Sequence, residues 1–344
     1  MGIAEEFKND LGRFREMTEK FYNKEISVKE YKGFSGGFGS YAQKGGEASM
    51  LRLRLAGGRI TKEKLGFVAK SLKEYKIDKL HFTTCQTIQL HNLNAGTVCA
   101  LMEEALDYGI ITKGGGGDFP RNVMVSPLSG VEREEYFDVM PYGEAAGDYL
   151  LSLIDKIKLP RKLKVAFSNT PANAVHATFR DLGFVAKEDG SFDVYSAGGL
   201  GNNPKMGVCV AEGIEPSKVL YYIRAMVNTF MKYGNYDNRA KARTRYMQDT
   251  LGTEGYREAY LEELKQVMAE EVLELSVAPT VITKTGTKAA ELADRMIEQK
   301  QEGLYAVSYH PIGGCPAPER MIGLYETIKD MDQVELRIAP DETV

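Results

Sequence analysis

Lys162 and Lys164 lie in the stretch LPRKLKVAF (159–167), alternating with Leu163, Val165 and Phe167. Such alternation predicts a β-strand, with both ammonium groups on one face roughly 6.5–7 Å apart. Two cations that close repel unless water or an anion separates them. One account is defensive, since lysines on the solvent face of an edge strand discourage pairing with other chains. The other is a seat for an anion, which requires more cations at the same place. Candidates stand in LRLR (51–54), DFPRNVMVSP (118–127) and NRAKARTRY (238–246), each at a strand end or beside Gly, Pro or Asn. From such positions side chains and backbone N–H groups reach a ligand.

Several other chemistries are excluded. Cys85, Cys99, Cys209 and Cys315 are far apart and none belongs to a C-x-x-C pair. They make no local zinc or iron–sulfur motif and no disulfide framework, which fits a reducing, cytoplasmic setting. The run KGGGGDFPRN lacks the Gly-Lys-Ser/Thr ending of a phosphate loop and is expected to be a flexible connector. A net charge of −4 argues against general nucleic-acid binding, though not against a local basic pocket. No run of about 18 apolar residues predicts a membrane span.

The elements that must position the cations follow from periodicity. Residues 1–30 predict helix plus connector, ASMLRLRLAGG (48–58) a strand ending in a Gly-Gly turn, and 61–76 a helix. A strand over 79–93 and a helix over 97–108 complete a β-α-β-α order, suited to an α+β sandwich of ferredoxin type. A second unit begins near 160 with the lysine strand and includes helices at 216–233 and 255–272. Shifting the chain by 256 lays RLAGGRITKEKLGFVAKSLKEYKIDKLHFTTCQTI over HPIGGCPAPERMIGLYETIKDMDQVELRIAPDETV without a gap. Gly57-Gly58 then falls on Gly313-Gly314, Leu65 on Met321, Leu72 on Ile328 and Leu80 on Leu336. The second copy stops within its last strand, so the chain is expected to be the front part of a longer protein.

In order and wording the chain resembles the siroheme-dependent sulfite and nitrite reductases. MLRLRLAGGRIT is similar to their first arginine strand, TTCQTIQLH to their T-T-R-Q-x-x-Q-L-H strand and PRNVMVSPLSG to their R-N-V segment. LPRKLK resembles their L-P-R-K-F-K/N, and AGGLG with GNYDNRAKARTRY their Gly-rich turn and basic helix. The resemblance covers about residues 45–344. It implies an anion held by Arg54, Arg121, Lys162 and Lys164, so that the lysines flank substrate. It further implies contacts to siroheme, which carries eight carboxylates, from Thr83, Gln89, His91, Asn122, Arg239, Lys241, Arg243 and Arg245. Cys85 departs from the family's usual arginine and His81 from another basic residue. The family's 4Fe–4S cysteines, in C-x5-C and C-x3-C pairs, have no counterpart here, so the cluster is expected only with a missing C-terminal half.

The fold is therefore expected to be α+β, with ferredoxin-like half-domains forming an internal repeat and a mixed α/β siroheme-pocket domain. The boundaries are 1–45 for an N-terminal helical extension, 46–150 for the first half-unit, 156–275 for the pocket domain and 280–344 for a truncated second half-unit. The implied activity of the full-length protein is six-electron reduction of sulfite to sulfide, or nitrite to ammonia, with ferredoxin or another small electron donor. The alternative is a non-catalytic fragment or an anion- or tetrapyrrole-binding module.

Overall fold

A computed structural model describes residues 3–286 and 293–344. In chain order these form α1 (Ile3–Tyr22), α2 (Val28–Ser35), β1 (Ser40–Ala42), β2 (Ser49–Leu53), β3 (Arg59–Ile60), α3 (Lys62–Glu74), β4 (Leu80–Phe82), β5 (Ile88–Leu93) and α4 (Ala95–Asp107). Next come β6 (Met124–Val125), α5 (Met140–Ser152), β7 (Val165–Ser168), β8 (Leu182–Ala186), β9 (Phe192–Ser196), β10 (Val208–Ile214), α6 (Val219–Tyr233) and α7 (Met247–Glu270). The last are β11 (Met296–Glu298), β12 (Tyr305–Val307), α8 (Pro318–Ile328) and β13 (Leu336–Arg337). The chain divides into two compact units, 1–117 with 307–344, and 118–306. The first stretch of unit one ends before β6, at 124–125, which enters the second unit's sheet. Part of the expected 280–344 segment, 287–292, lies outside the described residues.

In the first unit β1, β2, β5 and β4 form an antiparallel sheet in that order. The segment 79–93 is a hairpin rather than one strand. Thr83 Oγ1 accepts from the backbone N–H groups of Cys85 and Thr87, and Gln86 takes a left-handed φ of 57° between them. Leu51, Leu53, Leu80, Phe82, Ile88 and Leu90 point to one face and pack with Leu65, Val68, Leu72, Val98, Leu101 and Met102 of α3 and α4. Phe7, Leu11 and Phe14 of α1 join the same core, so the N-terminal helix is integral to this unit. The opposite face presents Arg52, His81, Gln89 and His91, with Gln89 paired to both Arg52 and His81. The glycine connector is close-packed, not loose. Gly114 N–H donates to Gly37 O at 2.7 Å and Gly117 N–H to the Tyr41 hydroxyl at 2.6 Å. A Cβ on Gly116 would come within 2.4 Å of Gly36 O.

Residues 256 apart adopt like conformations. Gly57 and Gly58 have φ of 62° and 68°, Gly313 and Gly314 57° and 67°. Helix α3 begins at Lys62 and α8 at Pro318; β4 begins at Leu80 and β13 at Leu336. Met321 and Ile328 share the core of Leu65 and Leu72. Strand β13 pairs antiparallel with β3, in a two-stranded ladder separate from the four-stranded sheet. Within α8, Gly323 is exposed and an added Cβ meets nothing within 4 Å. Gly323→Ala is expected to stabilise by up to about 1 kcal/mol, read by denaturant unfolding, because alanine loses less backbone entropy in a helix. A loss of stability would contradict the description of this face as open.

The second unit is built on a five-stranded sheet in the order β10-β9-β8-β7-β6, parallel from β6 to β8 and antiparallel from β8 to β10. Strand β7 is interior, and all four of its residues are buried, as a parallel strand covered on both faces requires. On one face Phe167, Phe184 and Phe192 pack with Leu150 of α5, Phe230 of α6 and Tyr256 and Tyr260 of α7. On the other, Met124 and Ala166 meet Val175 and Ala177 of the turn that precedes β8. Among the described residues no helix is long and apolar enough to cross a membrane.

Candidate functional site

The strand predicted from Lys162 begins at Val165, and the lysines occupy its entry. Here Leu163 bridges Pro120 in parallel. Arg121 N–H donates to Leu163 O at 2.8 Å, and Leu163 N–H to Phe119 O at 3.2 Å. Lys164 N–H donates to the Asp181 carboxylate at 2.8 Å, and Lys164 O accepts from Leu182 N–H at 3.2 Å. These backbone hydrogen bonds root Arg121 beside the segment that carries Lys162 and Lys164. Because β7 lies between β6 and β8, the edge-strand account of the lysines does not hold.

The two ammonium groups are half-buried, and among the described residues neither makes an ion pair or a side-chain hydrogen bond. Burial pushes Lys162 down to about 8, helped by the positive charges of Lys164, Arg121, Arg243 and Arg161. Such a site carries unneutralised positive charge at neutral pH.

Two carboxylates organise the surrounding arginines. Asp118 accepts from Arg161 at 3.0 Å and from both terminal nitrogens of Arg239 at 2.7 and 3.2 Å. Burial alone would raise the Asp118 carboxyl, but hydrogen bonds from Arg239 and Arg161 outweigh it and hold it below its ordinary value. Asp181 is fully buried and accepts from Arg243 at 3.0 and 3.1 Å, from the Thr244 hydroxyl and from Lys164 N–H. Neither aspartate was singled out from sequence. Asp118 stood in the quoted DFPRN segment, whereas Asp181 carried no signal.

The segment 238–246, expected to be a basic helix, consists of two short 3-10 turns, Arg239–Lys241 and Thr244–Tyr246. Their side chains diverge in role. Arg239 is largely exposed and held by Asp118, and Lys241 is exposed. Arg245 is buried, lies 4.9 Å over the Tyr246 ring, and passes so close to Gly199 that a Cβ there would sit 3.1 Å from its guanidinium. The Nε atoms of Arg243 and Arg245 are buried and have no hydrogen-bond partner among the described residues. Asn122 is buried beside β6.

The remaining candidates belong to the first unit. Arg54 is buried and donates to Lys113 O at 3.0 Å. Arg52, on the polar sheet face, donates to Gly115 O, and burial lowers it from its ordinary value. His91 Nε2 lies 3.2 Å from Gln89 Oε1. Burial, then the charges of Lys79, His81 and Arg52, push His91 down to about 4, so it is neutral at physiological pH. The Thr83 hydroxyl closes the β4–β5 turn and lies 2.7 Å from that of Thr87.

These residues differ in their fit to the two groups that the resemblance implies. A polycarboxylate such as siroheme suits the unneutralised lysines and the orphaned Nε atoms of Arg243 and Arg245. A 4Fe–4S cluster does not suit the cysteines present. Among the described residues no group of three or more His, Cys, Asp or Glu could hold a metal ion. Burial pushes the thiols of Cys99 and Cys209 above the ordinary range, the opposite of what thiolate ligation needs.

Comparison with known proteins agrees with the fold. Residues 41–108 match the family model described as the nitrite/sulfite reductase ferredoxin-like half domain. Residues 116–268 match the one described as the nitrite and sulphite reductase 4Fe-4S domain. A domain of that description therefore lies within the chain, not wholly downstream as expected, although Cys209 is the one cysteine of the matched span. The chloroplastic ferredoxin–nitrite reductase of Zea mays is 26% identical over 305 residues, covering 86% of this chain and 52% of its own. The NADPH sulfite reductase hemoprotein beta-component of Thiocapsa roseopersicina is 28% identical over 334 residues, covering 86% and 57%. The chain spans about half the length of these curated relatives. The structure of the Mycobacterium tuberculosis NirA protein is similar with a TM-score of 0.77 at 24% identity, over 100% of this chain and 66% of that one, which speaks for the fold.

Proposed function

Because the chain belongs to the nitrite and sulfite reductase family, we propose that Arg121, Lys162 and Lys164 bind a small oxyanion, sulfite before nitrite, for six-electron reduction by the whole protein. The observation that carries this reading is the unneutralised lysine pair, with Lys162 lowered to about 8 by burial and by surrounding cations. An anion seated there relieves the repulsion and replaces lost hydration. Two lysines suit the sulfite dianion, whereas a single cation with a neutral neighbour suits the monovalent nitrite. Protonated Lys162 can also pass a proton to a departing oxygen and be recharged from water. For Arg54, which belongs to the first unit, an anion-binding role rests on the resemblance alone and is tested separately by Arg54→Gln.

Siroheme, when bound, supplies the electron-transfer chemistry. Arg243 and Arg245 offer orphaned N–H groups to its carboxylates, and Asn122 of the same unit offers a neutral polar contact. Ferredoxin or another small donor provides the electrons, in a reducing cytoplasmic compartment that keeps the four thiols free. An anion- or tetrapyrrole-binding module without redox activity is the second reading, favoured by the lack of a cysteine set. Siroheme loading followed by an assay of sulfite reduction with a reduced donor separates the two: a chain that takes up siroheme without turnover is a tetrapyrrole-binding module, and one that stays colourless is at most an anion-binding module.

The anion seat has its own test in pH. Lys162 titrates near 8 when folded and near its ordinary value of 10.5 when unfolded. The unfolded chain therefore holds more protons between those values, and this group's contribution to stability rises with pH there. Below about 8 the charged lysine is destabilising unless an anion is bound. Sulfate, which keeps two charges throughout, is expected to raise the melting temperature more at pH 7 than at pH 9.5. Its affinity should fall about tenfold per unit above pH 8. Lys162→Met should flatten both dependences; equal responses in the wild type and the variant would remove the anion seat.

A further inference from the structure

The lysine pair poses a question that its own side chains do not answer. Lys162 faces Lys164, Arg121, Arg161 and Arg243, which all act to expel its proton. Arg161 is held by Asp118. Arg243 is held by Asp181, whose carboxylate lies wholly inside the protein. That carboxylate ties two other stretches of chain, at 164 and at 243–244, to its own. It accepts from the backbone N–H of Lys164 at 2.8 Å, from the Arg243 guanidinium at 3.0 and 3.1 Å, and from the Thr244 hydroxyl. Its own backbone is fixed as well, because Asp181 O accepts from Ala197 N–H at 2.8 Å.

We infer that Asp181 is the positioning residue of the lysine pair, seating the backbone between Lys162 and β7 and offsetting the charge of Arg243. Both functions follow from one carboxylate. The bond to Lys164 N–H fixes where the two lysine side chains leave the backbone. The ion pair keeps Arg243 from acting on Lys162 as a full unit charge. Without it Lys162 would lose its proton near neutral pH and cease to be a cation for an arriving oxyanion. A purely structural aspartate would need the hydrogen bonds but not the charge, and this difference can be measured.

The inference rests on the proposed anion seat for its purpose, but its test needs no anion. Failure of sulfate to bind would sink the seat, whereas a fault in the titrations below would sink only the role of Asp181. Lys162 is titrated by heteronuclear NMR of the lysine side chains in the intact chain, with its signal assigned by its loss in Lys162→Arg. Asp181→Asn keeps an acceptor for Lys164 N–H and removes the charge, and it should lower the Lys162 midpoint by about one pH unit. Arg243→Gln removes the cation and leaves the carboxylate, and it should raise the midpoint by a similar amount. The double variant should return to within a few tenths of the wild type. Folded single variants whose midpoints stay put, or move in the same direction, would overturn the assignment. If Asp181→Asn fails to fold, Arg243→Gln decides alone: a rise supports the role, and no rise refutes it.

Discussion

On the proposed reading, Lys162→Ala in the active reductase is expected to lower kcat/KM for sulfite and for nitrite by about 100-fold or more, the scale at which one preorganised charge acts on developing negative charge. The cause is the environment of the ammonium group. Lys162 is half-buried among Lys164, Arg121, Arg243 and Arg161, and its charge is poorly screened. Truncation removes both a partner for the anion and a proton source. The loss should therefore fall on kcat as well as KM; an effect on KM alone would mean that Lys162 only recruits the anion. Lys164→Asn should act differently, removing one charge while keeping a hydrogen-bond donor. It is expected to shift the sulfite-to-nitrite ratio of kcat/KM about tenfold toward nitrite. A ratio unchanged by Lys164→Asn would sink the charge-matching account of substrate choice. Turnover unchanged by Lys162→Ala would return the lysines to a structural role.

What could be seen in the sequence was what repeats or alternates. The helix faces of α3 and α8, the paired glycine turns and the apolar face of β2 and β5 all follow from local periodicity, because each element buries one side against a core. The convergence of Arg121 with Lys162 and Lys164 could be inferred only as an implication of the resemblance, since a parallel bridge between Pro120 and Leu163 joins segments more than forty residues apart. Three features were not legible. The interior position of β7 depends on β6 and β8 pairing to either side, and a two-sided buried strand hides the solvent face that alternation implies. The Thr83 hydroxyl closes its own hairpin, which alternation over 79–93 does not reveal. Asp181 lay in plain RDLGF, and its importance comes from bonds to residues 17, 62 and 63 positions away. Buried carboxylates acquire meaning only through partners brought by the fold.

Gly183→Ala is expected to destabilise the second unit by about 3 kcal/mol or more, for a reason that leads back to the site. Gly183 lies in β8, two residues after Asp181, where the turn at 177–179 crosses the sheet. A Cβ there would stand 1.9 Å from Ala177 O and 2.4 Å from Ala177 C, both backbone atoms. The turn has little freedom to retreat. Ala177 N–H donates to Asn173 Oδ1 at 2.6 Å, Gly207 N–H to Thr178 O at 2.7 Å and Arg180 Nε to Val175 O at 2.8 Å. Relief must come from moving β8 or breaking these bonds, and either displaces Asp181 and the Lys164 backbone that it holds. The same added methyl group should thus act oppositely at two positions, stabilising at open Gly323 and damaging at Gly183. At Gly183 it should also reduce the extra stability conferred by sulfate. Denaturant unfolding with and without sulfate reads both effects. A Gly183→Ala protein within 1 kcal/mol of the wild type would show that the turn can yield. An undiminished sulfate response in a destabilised variant would separate the packing of the turn from the placement of the lysines.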